Sequence, residues 1–138
     1  MLNTLQQRIN QYQLLSDLRI KLLRLHRLLL DTERINYEQV RGQVSRGELL
    51  QLVINHEQFA WLHRLSELIV QIDELRQADE PVTLETIATL MTDVRILLTP
   101  NELGDDFGVR YDAAFQRNPD VVLAHADTIT LLTSDAQG

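Results

Sequence analysis

The chain reads as an all-α, single-domain bundle of five or six helices with a long N-terminal helix. Three observations predict this. Over 138 residues there are only 5 Gly and 3 Pro to interrupt a chain rich in Leu, Gln, Glu, Arg and Ala, residues that lose little freedom in a helix. Apolar residues recur at three- and four-residue steps, and no useful length alternates at period two. The length suits one domain, residues 1–138, able to bury a core without disulfides or metals.

The elements follow in order. From Thr4 to about Arg41 no Gly or Pro intervenes, and Thr4 with Gln7 has capping-box spacing. Leu15, Leu18, Leu22, Leu25 and Leu29 make a seam of coiled-coil or bundle type, while Leu23, Leu30 and Tyr37 form a second stripe. Two stripes require more than one neighbour. Gly42 to Gly47 is the first break, and Ser45 with Glu48 caps a helix through LLQLVI. Asn55 is placed to cap a third helix. The run from Glu48 to Gln77 is thus either one helix with a defect near Asn55 or two helices meeting at a corner, and the corner is preferred.

QADEPVT is a linker. Thr83 opens LETIATLMTDVRILL, which must stop before Pro100. Asn101 to Gly108 is the longest irregular segment, FGVRYDAAFQRN a short helix, and Asn118 with Pro119 a cap and first turn for DVVLAHADTITLL. The tail from residue 132 is expected to fray.

Composition narrows function by exclusion. Hydrophobic residues make up 44% and charged residues 24%, the balance of a globular chain. No cysteine is present, so disulfides, thiolate metal sites and a cysteine nucleophile are excluded, and a reducing cytoplasm suits the chain. No signal-peptide run or uncharged 18-residue window exists, so no membrane role is expected. The formal net charge is −7, but residues 1–46 hold eight of the thirteen basic and four of the twenty acidic residues, leaving the first third at +4 and the remainder at −11. A basic helix packed beside acidic neighbours accounts for this better than a nucleic-acid arm: Arg19, Lys21, Arg24 and Arg27 spread around the helix instead of forming one stripe. No nucleic-acid partner is expected.

The stretch NHEQFAWLHRLSELIVQIDEL gathers two histidines and the only tryptophan. On a continuous helix, His56, Ala60, His63, Glu67 and Glu74 would share one face, with Phe59, Leu62, Leu65, Ile69 and Ile72 on the other. His63 and Glu67 could supply two metal ligands at i, i+4, but they share their face with Arg64, Gln71 and Glu74, and HEQFAWLH lacks the HExxH spacing. A wet face is the simpler reading.

His125 is different, with Val122, Ile129 and Leu132 around it, and is expected to be at least half buried. His26 sits at the edge of the leucine seam. Phe107, Tyr111 and Phe115 make an aromatic stripe read as core. NELGDDFGVRYD, with Glu102, Asp105, Asp106 and Asp112, fails the calcium-loop spacing. No phosphate loop, GxSxG or dinucleotide fingerprint occurs, so no catalytic residue and no cofactor is assigned.

LHRLLLDTERINYEQVRGQVSRGELLQLVINHEQFAWLHRLSELIVQIDE, and more weakly RYDAAFQRNPDVVLAHAD, resemble a group of short bacterial all-helical proteins sharing a GELLQL…FAWL…LSELIVQIDE-like segment. The resemblance implies a bacterial, complete, single-domain protein and supplies no catalytic residues. The leading expectation is a non-enzymatic cytoplasmic interaction module that self-associates as a homodimer or docks a partner helix through Leu15, Leu18, Leu22, Leu25 and Leu29. The alternative is a metal- or small-ligand-binding bundle, with an enzyme among its forms, using some of His26, His63, Glu67 and His125.

Overall fold

A computed structural model describes the backbone of residues 2–101 and 104–137, and side chains from 5 to 133 apart from 102 and 103. The described chain is all-helical. It comprises α1 (Leu2–Arg41), α2 (Arg46–Asn55), a 3-10 segment (Glu57–Leu62), α3 (His63–Gln77), α4 (Leu84–Leu97), α5 (Asp106–Arg117) and α6 (Pro119–Gln137). The Thr4 half of the expected capping box lies outside the described side chains.

Helix α1 spans 40 residues, about 60 Å at 1.5 Å per residue, and is the spine. It packs chiefly against α6 and α3, with the 3-10 segment and α5 covering its later turns. Both main neighbours run antiparallel to it. Along α3, Arg19 meets Asp73 at 2.6 Å and His26 meets Ser66 at 3.0 Å; along α6, Lys21 meets Asp127 at 2.8 Å, while Asn36 faces Arg117 just before α6 begins. These pairs place part of the basic first third directly against acidic neighbours, the internal complementarity expected from its charge.

Leu15, Leu18, Leu22, Leu25 and Leu29 are all 0% exposed. The seam therefore closes within the chain, against its own helices. Each burial contributes roughly 2 kcal/mol from apolar area alone. This corrects the expectation that the seam serves a partner: a long helix with two antiparallel neighbours and a 3-10 segment above it leaves no free edge on that face.

The corner at Asn55 exists, but the capping residue differs. Helix α2 ends at Asn55, and His56 caps the following 3-10 segment, its Nδ1 accepting from the Gln58 N–H at 3.1 Å. Because α2 and α3 are separate, His56 does not share a helical face with His63. Ser45 caps α2 and Thr83 caps α4 as their spacings predict, each accepting an N–H three residues on.

Asp105 caps α5 by accepting from Gly108, so that helix begins at Asp106, earlier than the irregular segment was expected to end. Asn118 Oδ1 accepts from the Asp120 N–H beside Pro119. Helix α6 continues to Gln137, past the expected fray at 132; the side chains of 134–138 lie outside the described residues. Its buried line is Val121, Ala124, Thr128 and Leu132, one position round from the stripe read in the sequence, so Val122, His125 and Ile129 sit half-buried on its shoulder.

At the end of α1, Gly42 has φ +86°, the left-handed conformation that ends a helix without a Cβ penalty. The Glu38 carboxylate accepts from both Arg34, at 2.8 Å, and the Val44 N–H, at 2.9 Å, fixing the turn into α2. Helix α2 is the exception to the packing. Five of its ten residues are aliphatic, yet none is buried. Leu49, Leu52 and Val53 lean on the core, whereas Leu50 and Ile54 are 57% and 54% exposed.

Candidate functional site

The four histidines are each held by a different local contact. His26 projects from the edge of the α1 seam toward α3, where Ser66 Oγ lies 3.0 Å from its Nε2. The same hydroxyl donates to the Leu62 carbonyl one turn back, at 3.3 Å. With its proton so placed, Ser66 accepts from His26, which in that arrangement is no base for the hydroxyl. Burial, followed by the nearby His63, pushes the His26 titration below its ordinary range.

His63 is exposed, and its Nε2–H donates to the Val53 carbonyl at 2.8 Å, tying the first turn of α3 to the last turns of α2. Glu67 is exposed one turn further on, with Gln71 and Glu74, as the wet-face reading requires. His56 stacks edge-on against Tyr37 and Phe59 at 5.6 and 6.2 Å.

His125 is half-buried, as its neighbours predict. Its Nδ1 lies 2.6 Å from the hydroxyl of the fully buried Tyr111, and the Phe115 ring packs edge-on at 5.1 Å. Burial lowers the His125 titration and raises that of Tyr111, so the pair stays neutral near pH 7. A phenol donating to a neutral imidazole satisfies both polar atoms inside an aromatic cluster that continues through Phe107 to Trp61.

Among the described residues no three His, Asp or Glu side chains converge on a point where a metal could sit. The structure brings His26 and His63 near one another and gives His125 a separate partner. The acidic stretch after Asn101 is likewise built into local structure. Asp105 caps α5 and pairs with Arg64, Asp106 pairs with Arg110, and Asp112 accepts from Gln116; Glu102 lies outside the described residues. The Gly108 N–H, then Arg64, hold the Asp105 carboxyl below the usual carboxylate range.

The residue that the sequence reading missed is Glu33. It is only 9% exposed, and its two carboxylate oxygens accept from the Trp61 indole N–H at 3.1 Å and the Gln58 amide at 2.9 Å. The signal was available: Glu33 lies four residues beyond Leu29, where the seam continues with a charge in place of a leucine. Beside it a cavity of about 280 Å³ opens between α1, the 3-10 segment and α5.

The fold and these contacts define a helical bundle whose polar side chains are engaged mainly in holding the helices together. No protein family, curated protein or solved structure matches the chain. No helix among the described residues is long and apolar enough to cross a membrane.

Proposed function

We propose that the protein is a non-enzymatic helical interaction module of the cytoplasm that self-associates through α2. One observation carries this reading. Helix α2 is half aliphatic with no residue fully buried, and its outer residues Leu50 and Ile54 lie exposed at i, i+4 on one face. Val40, 81% exposed in the last turn of α1, adds to the apolar surface at this end of the molecule.

A second copy suits the face better than a charged partner. The exposed ionic residues on and beside α2 are Arg41, Arg46, Glu48 and Glu57, a balanced set on a chain of net charge −7. Acidic copies repel elsewhere and can approach where the surface is neutral and apolar.

Sedimentation velocity over a concentration series tests the reading. A dimer is expected at high concentration, and Leu50→Arg should return it to monomer without loss of helical circular dichroism. A monomer at every concentration, with Leu50→Arg sedimenting identically, overturns it.

A further inference from the structure

The cavity beside Glu33 has a charge arrangement that self-association does not use. Glu33 is a buried carboxylate whose hydrogen bonds come from neutral donors, Trp61 and Gln58, and among the described residues no cation lies within ion-pair distance of it. Across the cavity on α5, Arg117 is a guanidinium with the reverse condition. Its hydrogen bond goes to the neutral Asn36 amide at 3.3 Å, and no carboxylate among the described residues pairs with it. Asn36 and Glu33 are one helical turn apart on α1, so Glu33 and Arg117 line one space without forming an ion pair. Ala113 and Ala114 lie on α5 between Arg110 and Arg117, and their small side chains leave the space open.

We propose that this cavity binds a small zwitterion, a free α-amino acid, with its ammonium on Glu33 and its carboxylate on Arg117. Each ligand charge would pair with a protein charge that lacks an ionic partner among the described residues. A guanidinium presents paired N–H donors suited to a carboxylate. At about 280 Å³ the cavity is below the usual range for drug-sized ligands and of the order required for a small amino acid. Arg110 already pairs with Asp106 at 2.9 Å, so it frames the space and adds no unpaired charge.

The single tryptophan supplies the readout, because its indole N–H donates to the carboxylate in question. Glycine, L-alanine and L-serine are titrated into the isotopically labelled protein at up to millimolar concentration, following the indole N–H resonance, with isothermal calorimetry in parallel. At least one should move the resonance saturably. N-acetyl-L-alanine, lacking the ammonium, and L-alaninamide, lacking the carboxylate, should bind at least about tenfold more weakly than L-alanine, as expected for loss of a charge-assisted bond. Arg117→Gln, at an exposed position, and Ala113→Leu, which fills the space without changing charge, should weaken binding similarly. Absence of saturation with all three amino acids, equal binding of the blocked analogues, or unaltered binding by both variants overturns the proposal. None of these outcomes bears on α2 or on the oligomeric state.

Discussion

The strength of the Glu33–Trp61 contact can be isolated by a double-mutant cycle. Glu33→Ala removes the acceptor of an indole N–H on a residue that is 4% exposed, and also deprives Gln58 of its partner. A buried donor left unmade costs about 1–3 kcal/mol, and the one lost methylene adds about 0.8 kcal/mol where buried. Partial relaxation brings the expected loss to about 2–4 kcal/mol, a large share of the total stability of an ordinary domain. Trp61→Phe retains a ring against Phe107, 5.1 Å away in the wild type, but leaves one carboxylate oxygen without its donor, for about 1–3 kcal/mol. Since each change removes the same bond, the double variant should be more stable than the sum of the two losses predicts, by about 1–2 kcal/mol. Glu33→Gln keeps an amide oxygen for the indole and should cost less than Glu33→Ala. Urea denaturation of the four cycle members measures this. Additivity within about 0.5 kcal/mol would show that the contact contributes nothing of its own and refute the assignment of Glu33 as a fixed acceptor.

Two further predictions concern the backbone and pH. Gly42→Ala forces a Cβ into a φ of +86° and should cost about 1 kcal/mol, whereas Gly47→Ala, in the first turn of α2 with open space around its Cβ, should be neutral or stabilising by up to about 1 kcal/mol; equal effects in thermal melts would contradict the left-handed cap. His26 and His125 are both lowered by burial, His26 with a further push from His63, so the unfolded chain takes up their protons at a higher pH than the fold does. Stability is therefore intact above the unfolded value of about 6.5 and declines as pH falls through it toward the folded values. Denaturation midpoints that stay level from about pH 7.5 to about pH 5.5, or a decline that survives in full in His26→Gln/His125→Phe, would exclude this linkage.

The boundaries were legible because their causes are local. Ser45, Thr83 and Asn118 act on amides two or three residues away, and Gly42 needs only its own φ, so short spacings suffice to find them. Where two local signals compete, the sequence is ambiguous. Asn55 and His56 are adjacent candidate caps, and what favours His56 is tertiary: its ring stacks on Tyr37 of α1 and on Phe59. The one-position rotation of the α6 stripe has the same origin. Val121 and Val122 are equivalent in hydropathy, and only the direction in which α6 meets α1 decides which is buried.

The purpose of an apolar stripe is less legible than its existence. The leucine excess in α1 reads equally as a core seam or as an exposed interface, because periodicity reports that a face is buried and not what buries it. Here α3 and α6 pack onto α1, with Asp73 and Asp127 pairing to Arg19 and Lys21 beside the contact, and the seam is consumed internally. Helix α2, whose aliphatic residues are left without full burial, is a ten-residue helix too short to show a long periodic stripe. Polar sites invert the difficulty. His63 and Glu67 have ligand spacing on one helix and no third ligand among the described residues, while Glu33, Asn36 and Arg117 line one pocket from α1 and α5 across more than eighty residues. A constellation assembled by the docking of two helices leaves a single trace in each, a charge at a seam position on one and a pair of alanines between arginines on the other. Those traces become a site only when the helices are set side by side.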